Sequence, residues 1–457
     1  MSNLLATLSI ATGALAAEQG ALSETANNVA NLNTPGYSRQ VPKFIENPPV
    51  ILGSLGFGTG VSLGRTDSIR DAILQIRIQQ ESGQQEHLDA FVSSLKQVEA
   101  QFSNQGNDIG SQVSALFASI SQLSAAPSSL AMREGVLAAA SNLSLTIRNT
   151  ANSMVSQQKS IDLSVSQAVA QVNTATQQIA KLNGEIALLQ NVGQDASGFI
   201  DQRDMLINQL SGLIDVSQIK TEVGITLTTS NGTALVADNQ SFTLTTQPDL
   251  SGLQRIFAQE TDITGQVNSG ELGGLLTVRD QKIPALLTSL DTLAAALANA
   301  FNSANAAGFD LNGNPAGNLF TPPAASGLGA AASMKVAITD PALIAASSDG
   351  SPGSNGNVAN FASIHEQALI GSTTPSGFYS AMIFNLGNDV ANANAELQSS
   401  QVVLQQLKDQ RGSISGVSLD EEAAHMVQYQ RAYEAAARIV TTVDQMLETI
   451  IHMGVNG

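Results

Sequence analysis

Side chains able to do acid–base, metal or nucleophilic chemistry are sparse in this 457-residue chain and poorly grouped. The four histidines are His87, His365, His425 and His452, and no two stand at a ligand spacing such as i,i+4. There is no cysteine, which removes disulfides and thiol catalysis. Asp201, Arg203 and Asp204 invite a catalytic reading, but a surface ion pair of the i,i+3 type or a helix-to-helix salt bridge accounts for them with less. Asp310, Asn312 and Asn314 alternate as in a calcium loop. However, Pro315 stands where that loop needs glycine and Thr321 where it needs a bidentate Glu, so a turn is expected. No phosphate loop, dinucleotide fingerprint or G-x-S-x-G elbow is present. The residues therefore point to a protein that is not an enzyme and has no metal or cofactor.

What the chain does have is periodic apolar surface, most clearly at its two ends. Ser418 and Glu421 form an S-x-x-E capping pattern that starts a helix. Beyond it Met426, Tyr429, Tyr433, Ala436, Val440, Val443, Leu447 and Ile450 follow at alternating steps of three and four. At the other end Leu8, Leu15, Leu22 and Val29 lie seven apart, with Leu4, Ala11 and Thr25 between them and Glu18 as the exception. That pattern stops at Thr34-Pro35-Gly36, a turn. Both ends read as helices that pack with each other, with neighbouring copies, or with both. A stripe this narrow does not offset the entropy of ordering about thirty residues. Both ends are thus expected to be disordered in the free protein and to fold on packing against other subunits.

Ala26-Asn-Asn-Val-Ala-Asn31, followed by Thr34-Pro-Gly-Tyr-Ser-Arg-Gln40, resembles the amino-terminal signature of the bacterial flagellar axial proteins, the rod, hook and hook-associated family. Its residues here are Asn27, Asn28, Asn31, Pro35, Gly36, Tyr37, Ser38, Arg39 and Gln40. Gly36-Tyr37 is nearer the hook-associated members, since a hook protein is expected to carry Gly-Phe there. Ile200-Asp-Gln-Arg-Asp204, Gly270-Glu-Leu-Gly-Gly-Leu-Leu-Thr277 and Ile414-Ser-Gly-Val-Ser-Leu-Asp-Glu-Glu422 resemble the same family.

The resemblance implies a structural adaptor, a homo-oligomeric ring joining the hook to the filament outside the cell. Its partners would be the hook protein, the next hook-associated protein on the filament side, and a cytoplasmic export chaperone at the carboxy-terminal helix. It also implies type III export with no cleaved signal peptide. Subunit packing would fall to Leu8, Leu15, Leu22, Val29, Met426, Tyr429, Tyr433, Val440, Val443, Leu447 and Ile450. Another axial protein (hook, rod or second junction protein) is the alternative, although Ile200–Asp204 and the long helices argue against the hook and rod types. A cytoplasmic coiled-coil protein would share the heptads but not Asn27-Asn28 with Gly36–Arg39.

Composition is consistent with this. The net charge of −18 and 13 % charged residues argue against nucleic acid, which needs clustered Lys and Arg, and 4 % aromatic residues without tryptophan argue against base stacking. No apolar run reaches the roughly 18 residues of a bilayer span, and the first basic residue is Arg39, so no cationic leader is expected. Composition alone would say cytoplasmic, and only the resemblance implies export. The absence of cysteine suits a protein assembled outside the reducing cytoplasm.

The expected fold is mainly α and elongated, a helical-bundle and coiled-coil body with a small inserted β-rich domain. A terminal coiled-coil domain takes 1–35 and 416–457, and a helical rod takes 36–214, 268–310 and 357–415. The β-rich insertion takes 215–267, with a loop or reduced insertion at 311–356. Ser38–Ile45 and Val61–Arg65 read as strands about a Pro/Gly loop containing Gly53–Gly60. Helices are expected from Asp67, as N-cap, to Phe102, over Ile109–Leu123 and from Ser129 to about Gln190. In the last, Ile161, Val165, Ala168, Val172, Ala175, Ile179, Leu182, Ile186 and Leu189 keep the three–four alternation, and its length would be about 90 Å. Further helices are expected over Phe199–Leu210, from Gly274 past Phe301, and after Ser376. Asn231-Gly232 signals a type I′ hairpin.

Overall fold

The computed structural model describes residues 2–52, 55–102, 108–221 and 224–455, so Gly53 of the glycine-rich loop lies outside the described residues. The chain is mainly helical, with small antiparallel sheets. Its helices are α1 (Ser2–Ala30), α2 (Ala72–Ala100), α3 (Ile109–Ala125), α4 (Leu130–Asn191), α5 (Ser197–Leu213), α6 (Gly270–Thr277), α7 (Ile283–Ala306), α8 (Ala330–Ser333), α9 (Val358–Ser363), α10 (Pro375–Ser415) and α11 (Leu419–Val455). Two compact units result. One comprises Met1–Gln84, Gln171–Leu244 and Ser400–Gly457, and the other Gln85–Ala170 and Thr245–Ser399.

In the first unit α1 packs on α11. The end of α1 meets the start of α11 through Asn28 and Glu422, while Glu18 lies near Tyr429, so the two run antiparallel. The strands that follow α1 are β1 (Gln40–Val41), β2 (Phe44–Glu46), β3 (Val50–Leu52), β4 (Leu55–Phe57), β5 (Val61–Leu63) and β6 (Asp67–Ser68). They pair β1 with β6, β2 with β5 and β3 with β4. The Pro/Gly segment is thus a nested set of hairpins rather than a loop between two strands. Close approach of α1 to β5 uses glycines: a Cβ on Gly13 would lie 3.2 Å from the Val61 carbonyl, and one on Gly20 would lie 2.3 Å from Leu63 Cδ2. Asp67 does not cap α2, because β6 holds it against Val41. The cap is Asp71, whose Oδ1 accepts from the Ile73 and Leu74 N–H groups at 3.0 Å.

The segment expected as one β-rich insertion forms two sheets. β7 (Ser217–Lys220), β8 (Ile225–Thr228), β9 (Ala234–Ala237) and β10 (Gln240–Ser241) make one, in the first unit. β11 (Leu244–Pro248), β12 (Gln254–Ala258) and β13 (Thr261–Asp262) make the other. Asn231-Gly232 does join β8 to β9, but only Gly232 has positive φ (+85°). The Gly232 N–H donates to Thr229 at 2.9 Å, so this is a type I turn closed by a left-handed glycine rather than type I′. The stripe on α4 is buried from Ile161 to Ile179. Polar residues on the same helix hold the sheets. Asn183 Nδ2 donates to the Ile225 and Asp238 carbonyls (2.9 and 2.7 Å), and Asn173 makes a two-way amide pair with Leu244.

The second unit is built on α3, α6, α7, α9 and its parts of α2, α4 and α10. Leu290, Leu293, Leu297 and Phe301 are fully buried, and Phe301 meets Phe117, Phe320 and Phe361 at centroid distances of 5.7–6.1 Å. Gly270–Ala306 is long and apolar enough to cross a bilayer, but this is where those core side chains lie. Residues 311–356, expected as a loop or reduced insertion, carry little regular structure but pack into the core. Phe320, Ile344, Ala345 and Ala346 are buried, and Arg133, fully buried on α4, donates to the Ile344 and Pro127 carbonyls. The Asp310 turn is internal: its Oδ1 accepts from the Asn312 and Asn314 N–H groups at 2.8 Å. Arg279, also fully buried, bonds Asp162, Asp280 and the Gln254 carbonyl, which ties β12 to α4.

In the Gly270–Thr277 segment Gly270 takes a positive φ of 70°, while Gly273 and Gly274 stand against α2. A Cβ on Gly274 would stand 2.3 Å from the His87 carbonyl and 3.0 Å from the Phe91 nitrogen. Backbone cannot yield as a side-chain tip can, so Gly274→Ala is expected to cost about 1–3 kcal/mol. Urea unfolding followed by circular dichroism checks this as a lowered midpoint with little change in slope.

Candidate functional site: a polar clasp at the root of the terminal helices

Three of the motif segments converge in the first unit around one side chain, Asn28, which is 1 % exposed. Its Nδ2 donates to the Gln40 carbonyl at 2.8 Å and to Glu422 Oε2 at 3.0 Å. Its Oδ1 accepts from Tyr37 Oη at 2.8 Å and from the Gln40 N–H at 2.9 Å. Both donors and both lone pairs of the amide are used. The turn that brings Tyr37 and Gln40 back to α1 is made by Asn31, Thr34 and Gly36. Asn31 bonds the Asn27 carbonyl and side chain at 3.0 Å and accepts from Thr34 Oγ1 at 3.1 Å. Gly36 has φ +84°, a conformation in which its missing Cβ matters. Asn27 and Pro35 are exposed, with Asn27 reaching Tyr37 Oη at 3.4 Å.

Arg39 ties the turn to α11. Its Nε donates to Glu422 Oε1 and its Nη1 to Glu421 Oε2, both at 2.7 Å, while its backbone N–H donates to Ser415. Glu421, expected to reach back towards Ser418, thus has an oxygen committed to Arg39, although the helix does begin at Leu419. The Ser38 N–H donates to Asp201 Oδ2 at 3.0 Å, and Arg70 donates from Nε and Nη2 to Asp201 Oδ1. Asp201 is therefore a buried link to a distant arginine, not a surface partner within its own helix. Arg203 is 7 % exposed and pairs with Asp204 at 3.4 Å. Burial pushes the Arg203 guanidinium down and the Asp204 carboxyl up from their ordinary values. Arg411 donates to the Gly36 carbonyl at 2.8 Å. Tyr37 sits among carboxylates, and burial, aided by Glu24, Asp201, Glu422 and Asp195, raises its phenol to about 12. Nothing in this geometry exposes a base beside a nucleophile. It is a clamp.

Above the clasp, the packing residues separate into two classes. On α1 the buried positions are Ala11, Ala17, Ala21 and Thr25, whereas Leu8, Leu15, Leu22 and Val29 are half-buried. On α11 the buried line is Glu422, Ala436 and Val443. Tyr429 is half-buried, stacked on His425 and tilted on Phe44 at 6.1 Å. Met426, Val440 and Leu447 are half-buried, while Tyr433 and Ile450 are exposed. Val427, Ile439, Met446 and Ile451 are 47–62 % exposed and extend the open apolar surface. The sequence pattern included Ala11 and Ala436 but did not reveal Arg70, Arg411 or the inward-facing Ala17 and Ala21.

Three family models match this chain. They are the helical domain of flagellar hook-associated protein FlgK over residues 95–320, the C-terminal segment of the flagellar basal body rod FlgEFG proteins over 410–453, and the flagella basal body rod protein over 8–37. Flagellar hook-associated protein 1 of Bacillus subtilis is 30 % identical across the whole of both chains. That of Escherichia coli is 25 % identical over 96 % of this chain and 98 % of its own. The flagellar hook junction protein FlgK from Burkholderia pseudomallei has a similar fold, with TM-score 0.67 and 15 % identity over 74 % of this chain and 100 % of that one. Rod-protein ends enclosing a hook-associated helical domain define a structural component of the flagellar axis, a class that associates with other axial components. Within it, the chain belongs to the flagellar hook-associated protein 1 family.

Two predictions follow from the clasp and the helices above it. Asn28→Ala strands the Gln40 N–H and carbonyl, so the first unit is expected to lose about 2–3 kcal/mol. Exposed Asn27→Ala is the near-neutral control, and urea unfolding compares the two. Glu18 and Glu24 each keep a buried Oε2 without a partner, and burial raises both carboxyls above 4.5. At neutral pH the burial penalty is present in full. As pH falls through the raised folded value the docked helix takes up its proton first, so docking strengthens towards 4.5. Glu18→Gln should therefore raise amide protection of α1 at pH 7, with an advantage over the natural chain that shrinks on acidification.

Proposed function

We propose that the protein is an adaptor at the hook–filament junction, forming a ring of identical subunits at the distal end of the hook. The observation that carries this reading is the open apolar surface on the α1–α11 pair, whose Ile439, Met446 and Ile451 are 47–62 % exposed. Surface of this kind is covered in assemblies. Leu8, Leu15, Leu22, Val29, Met426, Tyr433, Val440, Leu447 and Ile450 supply the packing between subunits, and 1–35 with 416–457 form the inner layer. The names of the relatives, hook-associated protein 1 and hook junction protein, support the hook as one partner; the next hook-associated protein would bind on the filament side. Before assembly the same terminal surface is covered by an export chaperone, and the chain leaves by the type III route. Its role is mechanical and involves no catalysis.

Truncation after Leu419 tests the proposal. The shortened chain should be absent from the hook end by immuno-electron microscopy, and cells depending on it should not swim, while amides in 130–165 stay protected. Normal junctions built from it would reject the reading. In the free, full chain, amides of 2–30 and 419–455 are expected to exchange much faster than those of 130–190, since the terminal pair is completed only by its neighbours.

A further inference from the structure

We infer that a cavity in the first unit, beside the clasp, is a binding site for a small oxyanion or a short acidic segment. It has a volume of about 560 Å³ and lies where the start of α2, the end of α10, α5 and the edge strand β7 come together. Four of the chain's 20 Lys and Arg side chains line it: Arg70, Arg203, Lys220 and Arg411. Among the described residues its acidic lining consists of Asp71 and Asp204. In a chain of net charge −18 this is a local excess of positive charge.

Those acids are already committed. Asp71 caps α2, and Asp204 faces Arg203. Arg70 is held by Asp201 at 2.8 Å. Lys220 and Arg411 form no ion pair among the described residues, and Arg411 has only the Gly36 carbonyl. The second observation is Arg203 itself. More than nine-tenths buried, it makes two long bonds, to Asn183 at 3.3 Å and Asp204 at 3.4 Å, and its Nε is buried without a partner. A buried guanidinium is stable only when its donors are satisfied. An oxyanion in the cavity would draw on this under-satisfied guanidinium, which lines the wall, with Lys220 and Arg411 closing around it. Ile186 and Ile225 in the walls keep the local dielectric low and strengthen the attraction. The volume suits a ligand larger than a bare ion, because ligand cavities of about 300–1,000 Å³ hold small molecules or a few residues of peptide.

The chemistry recognised is thus clustered anionic oxygen, supplied either by a free phosphate-type ion or by carboxylates on an acidic peptide segment. Isothermal titration of the full chain with inorganic phosphate, and separately with acetyl-Asp-Glu-Asp-amide, distinguishes these sources, with acetyl-Asn-Gln-Asn-amide as control. Saturable binding is expected for at least one anionic probe and none for the control, with affinity falling as salt is raised. Lys220→Gln with Arg411→Gln should weaken binding about tenfold or more while the circular dichroism spectrum is unchanged. Lys220→Gln alone, on an exposed strand position, keeps the test valid if the double variant misfolds. Binding of phosphate alone assigns the site to a free ion, and of the acidic peptide alone to a presented segment. Failure of both probes to bind at up to about 10 mM, or equal binding by natural and variant chains, overturns the inference. The junction role stands or falls separately, on the truncation.

Discussion

The first unit depends on the saturation of one buried amide. Asn28 behaves as a detached piece of backbone, offering donor and acceptor to Gln40 as a neighbouring strand would, and using its remaining valences on Tyr37 and Glu422. An aspartate there could not donate, and a leucine could do neither. Through it the exit of α1, the return strand β1 and the entry of α11 are fixed together, although Asn28 and Glu422 lie 394 residues apart in sequence. Arg39 and Asp201 extend the network to α5 and to the segment preceding α2. A chain whose two ends must leave one body side by side needs such a root, because the helices beyond it rest mainly on each other and on the β2–β5 hairpin.

The same device recurs along α4. Asn173, Asn183 and Asp162 interrupt its buried side where loops and strands arrive, and each meets main-chain groups of a sheet. Apolar burial makes the long helix part of the core, but it is non-directional. The directional amide and carboxylate bonds decide where along the helix each sheet sits. Glycine plays the complementary part. Gly274 against α2 and Gly20 against Leu63 remove the atoms that would keep two elements apart.

This division explains what could be read from the sequence. The helices were legible because period 3.6 is a local property, and α3, α4, α5 and α11 fall within a few residues of their expected bounds. The motif residues were legible as a set, but not their meeting, since spacing along the chain says nothing of Arg70 reaching Asp201. The heptad leucines of α1 looked like the buried stripe, and the structure instead turns Ala17 and Ala21 inward. Helices that approach closely need small residues at the contact, and hydrophobicity patterns rank those low. The strand pairing of β6 was missed for a related reason: Asp67 is a good helix cap in isolation, and only its partner across the hairpin shows that it is used otherwise.

The terminal pair carries an internal conflict that bears on its use. Glu18 and Glu24 bring charge into the face of α1 that meets its neighbours, each with an oxygen that finds no donor. Met446, Ile450 and Ile451 meanwhile leave apolar area in water. Both features weaken the pair as a free-standing hairpin, and both are relieved by additional protein around it, which removes apolar surface from solvent and can supply donors. A closed, self-sufficient pair would gain nothing from neighbours. A pair that is rooted firmly by the clasp and held weakly above it is free to re-pack when neighbours arrive. The fold thus separates the two demands on an axial subunit: a fixed origin for its ends, and ends whose order is completed by the assembly.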